Sequence, residues 1–95
     1  MKAFLRKFTG IRIGKRTAGG PEEECEAEVY CTFESGGQAL PCKATIKRSA
    51  GDTLNEASTE VSRVEGLPPG AQYDHPEFTI KASRYFIEQL AKRVD

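Results

Sequence analysis

The chain of 95 residues has no tryptophan, one methionine, one histidine and three cysteines, and aromatics make up 8% of it. Its formal net charge is zero, from 14 lysines and arginines against 14 aspartates and glutamates. Each shortage excludes something. No apolar run approaches the roughly 18 residues that a membrane span needs, and Met1-Lys2-Ala3-Phe4-Leu5-Arg6 lacks the long apolar core of a secretory signal. An odd number of cysteines with no C-x-x-C pair is neither a disulfide framework nor a zinc signature, and a reducing, cytoplasmic setting is expected. Cys25 and Cys31 are six residues apart on one extended segment, about 20 Å at strand rise, whereas ligands of one zinc lie within about 2.3 Å of it. The cysteines are therefore read as small buried hydrophobes. Balanced charge gives no global attraction to an anionic partner.

Chemistry-bearing clusters are equally scarce. The single histidine, His75, has only Asp74 beside it, and Asp74 reads as a helix cap. Nucleophilic catalysis needs a base and an orienting group converging on one atom, and no such convergence is visible. Glu22-Glu23-Glu24 has no calcium-loop spacing, and Gly19-Gly20-Pro21 lacks the lysine and hydroxyl of a phosphate loop. No cofactor and no metal are expected, and the chain is read as non-enzymatic.

What is there is a hairpin. From Cys25 to Lys47 the residues alternate, turn over on Ser35-Gly36-Gly37-Gln38, and alternate again. Cys25, Ala27, Val29, Cys31 and Phe33 share one face with Leu40, Cys42, Ala44 and Ile46. With the glycines at the centre of a two-residue turn, Phe33 falls opposite Leu40, Cys31 opposite Cys42, Val29 opposite Ala44 and Ala27 opposite Ile46. On the wet face Glu26 meets Lys47 and Tyr30 meets Lys43. A one-residue slip would set apolar against charged side chains, so the register is strongly specified. Pro41 lacks an N–H, which marks the return strand as an edge there. A further strand should therefore add beside Cys25–Glu34.

Residues 3–14 fit two readings. Phe4, Leu5, Phe8 and Ile11 have helical spacing, but a bulge at Thr9-Gly10 lets Phe4, Phe8, Ile11 and Ile13 share one face of a strand. The open place beside the hairpin favours the strand. Residues 16–21 read as a loop. Thr53-Leu54-Asn55-Glu56 reads as a capping box, with Leu54, Ala57, Val61 and Val64 as the apolar stripe of a helix Thr53–Glu65 ended by Gly66. Asp74-His75-Pro76-Glu77 opens a second helix running to about Arg93. The expected architecture is a single α+β domain, residues 1–95. An antiparallel β-meander of about three strands carries two C-terminal helices packed on one face.

The last helix holds more apolar residues than one sheet face requires, which points to a contact surface. Tyr85, Ile87, Ala91 and Val94 are its candidate contacts, with Tyr30 and Lys43 on the wet hairpin face. The expected function is a small protein-binding module that contacts another protein or itself, with a homodimer as one form. By analogy of size and composition, a stoichiometric inhibitor or accessory factor of the phage or mobile-element kind fits. The alternative is nucleic-acid binding by Lys2, Arg6, Lys7, Arg12, Lys15 and Arg16, which occur with no acid before Glu22 and alongside Phe4 and Phe8. No membrane partner is expected.

Overall fold

The computed structural model describes residues 1–16, 25–48 and 59–92; the side chains of Lys15, Arg16 and Cys25 lie outside that description. Strand β1 (Phe4–Arg16), β2 (Cys25–Ser35), β3 (Gln38–Arg48) and β4 (Thr59–Val61) precede helix α1 (His75–Lys92). The four strands form one antiparallel sheet in the order β1-β2-β3-β4, an α+β meander with a single helix among the described residues.

Gly36 and Gly37 hold φ of 58° and 83° at the hairpin turn, a pair of left-handed conformations that residues with a Cβ rarely adopt. The β2–β3 register is the one that alternation dictates, with Phe33 opposite Leu40, Cys31 opposite Cys42 and Val29 opposite Ala44. Val29 and Ile46 are both 0% exposed, so the apolar face of the hairpin is the floor of the core.

Strand β1 lies beside β2, as the strand reading expects. Its register shifts between Leu5 and Lys7, between Phe8 and Gly10, and between Ile13 and Arg16. These bulges explain how a helix-like spacing becomes a strand. Leu5, Phe8 and Ile11 are three residues apart, so strict alternation would send them to opposite faces. One extra residue at Arg6 and one at Thr9 restore the parity, and Leu5, Phe8, Ile11 and Ile13 all pack on the core. The Arg6 bulge also corrects one expectation: Phe4 does not share a face with Phe8 and is 63% exposed.

The helix expected over Thr53–Glu65 is not found in its described part. Residues 59–61 are a strand, and 62–64 continue without helix; the capping box at Thr53 lies outside the described residues. The physical reason is the open edge of β3. Ser62 N–H donates to Thr45 O at 2.9 Å, Lys43 N–H to Glu65 O at 3.0 Å and Glu65 N–H to Lys43 O at 2.8 Å. Ser62 Oγ also accepts the Thr45 N–H at 2.9 Å. Thr59, Val61, Ser62 and Val64 are poor helix formers, so an extended segment that satisfies backbone groups on both sides outcompetes a helix. Val61 and Val64 still pack against the core, from a strand edge rather than a helix face. The pairing stops where Pro41 has no N–H to give, so β3 is an edge only there. Gly66, at φ 107°, turns away so close to β3 that a Cβ would lie 2.7 Å from Pro41 O.

Helix α1 starts at its expected cap, with Asp74 Oδ1 accepting the Glu77 N–H at 3.0 Å. Phe78, Ala82, Phe86 and Leu90, spaced by four, are buried against the sheet, together with Ser83. Ser83 Oγ and Thr59 Oγ1 are 2.7 Å apart and tie the helix to β4. Beside them Arg48 is 1% exposed, so the floor of the core turns polar at the end of β3. Aromatic rings fill the other end. Phe33 lies 5.7 Å from Phe78 and 5.5 Å from Tyr73, and Phe8 stacks on Tyr85 at 4.7 Å.

Candidate protein-contact surface

With α1 on one face of the sheet, the opposite face carries no helix among the described residues. Its side chains fall in rows across the strands: Arg12, Glu28 and Thr45; Gly10, Tyr30 and Lys43; Lys7, Thr32 and Pro41; Phe4, Glu34 and Ala39. Lys43 Nζ lies 3.2 Å from Glu28 Oε2 and 3.9 Å from Glu65 Oε2. The Glu28 hydrogen bond, then its charge, then that of Glu65, hold the Lys43 ammonium above its usual pKa. Arg6 Nη1 meets Glu34 Oε2 at 3.0 Å. Lys2, Lys7 and Arg12 make no ion pair with a described residue.

Two hollows indent the molecule, one on this face and one on the helix side. Gly10 leaves open space beside Tyr30, with nothing within 4 Å of where a Cβ would stand. The resulting shallow depression of about 650 Å³ is bordered by Tyr30, Thr32, Pro41, Lys43 and Gly66. A second groove, of about 410 Å³, lies where β1 begins beside the start of α1, with Leu5, Phe33, Tyr73 and Phe78 as its apolar lining and Lys2 and Glu77 at its rim.

The expected contact residues are not brought to one place. Tyr30 and Lys43 are neighbours across β2 and β3 on the open face. Tyr85 and Ile87 are half-buried on the other side, Tyr85 stacked on Phe8 of β1 and Ile87 packed against the core, so much of the apolar girth of α1 is used within the chain. Ala91 is exposed, Ile80 is 46% exposed, and Val94 lies outside the described residues. Lys2, Arg6, Lys7 and Arg12 are exposed along β1, but Glu28 and Glu34 stand in the rows beside them. Sequence reasoning missed the Ser62–Gly66 strip that borders the depression. The signals were Pro41, which shows where a ladder on β3 must end, and the β-branched residues before Gly66.

Among the described residues, the groups with reactive potential are bonded elsewhere or buried. His75 Nδ1 is 2.9 Å from Tyr73 Oη and its Nε2 is 3.5 Å from Thr79 Oγ1, while Asp74 caps the helix, so the two do not converge on one atom. Cys31 and Cys42 are free and buried. Burial, and secondarily the neighbouring Cys42, push the Cys31 thiol up to about 12, and burial raises Cys42 as well. No group of three or more His, Cys, Asp or Glu among the described residues could hold a metal ion, and no described helix is long and apolar enough to cross a membrane. Set against protein-family models, curated proteins and solved structures, the chain has no significant match.

Proposed function

We propose that this chain is a small non-enzymatic protein-binding module that acts stoichiometrically, by contact, as an inhibitor or accessory factor does. The observation that carries the reading is that, among the described residues, a helix covers only one face of the sheet. Helix α1 packs on one face, and the other presents Tyr30, Pro41 and Phe4 among paired charges, with a depression at Gly10. A tyrosine at the border of a concavity, as Tyr30 is here, is a usual anchor of a contact surface. The free buried thiols fit a reducing, cytoplasmic setting.

Nucleic-acid binding has weaker support. Arg6 is bridged to Glu34, and Arg12 lies opposite Glu28, so a phosphate chain lying across the face of β1 and β2 would meet the carboxylates of β2. Light scattering on the purified protein, followed by capture from its native extract under nuclease treatment, tests the reading. A defined protein retained by the unaltered chain, and lost with Tyr30→Ala plus Lys43→Glu, is the expected result. Retention only without nuclease would refute it in favour of nucleic acid.

A further inference from the structure

We propose that the outer edge of β1 takes an extended, acidic segment of a partner protein as an added strand. The proposal rests on the protein-binding reading and names the partner's chemistry.

The sheet has two edges, and they differ. Beyond β3 the edge passes to β4, a strand of 3 residues, and to the Ser62–Glu65 strip, which pairs with β3 as far as Lys43 and offers little regular length for a further strand. Beyond β1, among the described residues, only Gln72 pairs, and only at the start: Ala3 N–H donates to Gln72 O at 2.7 Å and Gln72 N–H to Met1 O at 2.8 Å. That isolated bridge, in parallel register at Lys2, shows the outer side taking main-chain hydrogen bonds. The chain then leaves it for α1. From Leu5 onward no described residue occupies the edge, and Gly10–Ile13 form its longest stretch of unshifted register. Ile11 and Ile13 are packed against the core there but only half-buried, with apolar surface left over.

Charge selects the occupant. Lys7 and Arg12 point to the open face with no ionic partner among the described residues. A second copy pairing through the same edge would set Arg6, Lys7 and Arg12 against their own kind, and like charges on paired strands are unfavourable. The bulges at Arg6 and Thr9 disturb the edge further and discourage indiscriminate pairing. A strand alternating carboxylate with aliphatic side chains meets both needs at once. Its acids face Lys7 and Arg12, and its apolar residues extend the core beside Ile11 and Ile13. The groove by Leu5 and Phe78 is placed to take an apolar residue near one end of it.

The test uses a synthetic octapeptide alternating glutamate and valine, with a lysine–valine peptide as control, on the full chain. Amide exchange should slow at Ile11 and Ile13, whose N–H groups point away from β2, and the glutamate peptide should bind at least about tenfold more tightly than the lysine one at low salt. Lys7→Glu with Arg12→Glu, both exposed and checked for an unchanged melting curve, should reverse that preference. Equal affinity for the two peptides, protection elsewhere, no binding, or displacement by a duplex oligonucleotide would overturn the proposal. Capture from native extract separates the two levels. If the unaltered and doubly reversed chains retain the same protein, the edge proposal fails and the protein-binding reading stands. If the unaltered chain retains none, the protein-binding reading itself fails.

Discussion

Replacing Tyr73 by phenylalanine isolates one hydroxyl in the connection between β4 and α1. The Tyr73 oxygen accepts the Val64 N–H at 2.9 Å and lies 2.9 Å from His75 Nδ1. That oxygen accepts from Val64 and still has its own hydrogen to donate, and the roles in its contact with His75 Nδ1 follow the tautomer of the ring. The phenyl ring of the variant keeps the edge contacts to Phe33 and Phe78, at 5.5 and 6.0 Å, and the Arg63 guanidinium 5.5 Å above it. The loss is thus one hydrogen bond and a backbone donor left without its partner. An orphaned buried donor costs about 1–3 kcal/mol, and the half-buried position sets the lower part of that range, about 1–2 kcal/mol. For a domain of this size the melting temperature should fall by roughly 5–15 °C. Calorimetry reads the total, and amide exchange reads the place: Val64 should exchange faster while amides in the middle of β2 and β3 follow only the global change. His75→Ala, which leaves the Val64 bond in place, should cost less. A melting temperature within about 2 °C of the unaltered chain, with Val64 still protected, would refute the assignment of this hydroxyl as the tether.

Phe86 is 0% exposed, and Phe86→Ala should cost about 3–5 kcal/mol, enough to leave much of the chain unfolded in a denaturant titration; ending the chain before Tyr85, which removes Phe86 and Leu90 as well, should abolish folding. Gly66→Ala should destabilise by at least about 1–2 kcal/mol from its φ of 107° alone, with the 2.7 Å approach to Pro41 O adding to it, and thermal unfolding checks this. Cys31 is held up to about 12 from its ordinary 9.0 by burial, so folding favours the protonated thiol; stability should be flat in this group below pH 9 and fall as pH rises from there toward 12, and a thiol reagent at pH 8 should label Cys31 only on unfolding. Deletion of Thr9 should keep the core, because Phe8 opposite Cys31 would then be followed directly by Gly10 opposite Tyr30, and light scattering should show more self-association as a guard against edge pairing is lost.

The hairpin was legible because two independent signals agree on it. Gly36-Gly37 needs a turn with positive φ, and alternation on both sides accepts only one register. The Asp74 cap was legible for the same reason: a side-chain acceptor stands where the first turn of α1 has free donors. The stretch from Thr59 to Glu65 was not, because its period of three and four is real and its environment is not written locally. What turns it into a strand is the row of free N–H and C=O groups on β3, a feature of the assembled sheet rather than of those seven residues. The same holds for the candidate surface. Tyr30 and Lys43 could be paired from the register, but the border that Glu65 and Gly66 give them needed the fourth strand.

Strand β1 shows why charge and backbone geometry have to be considered together. Its apolar residues at Leu5, Phe8 and Ile11 could have joined the core as a helix, without bulges. The sheet instead takes them as a strand, and the two added residues, Arg6 and Thr9, fall between them on exposed positions. Arg6 is drawn across to Glu34, leaving Lys7 and Arg12 to face outward without an ionic partner among the described residues. The irregularity that lets the core close therefore also sets the edge apart, bulged where a like strand would need regular spacing and basic where a like strand would be repelled. An edge built only to be inert needs no second chemistry beside it, whereas this one borders an apolar groove at Leu5 and Phe78. That combination distinguishes a selective edge from a merely blocked one.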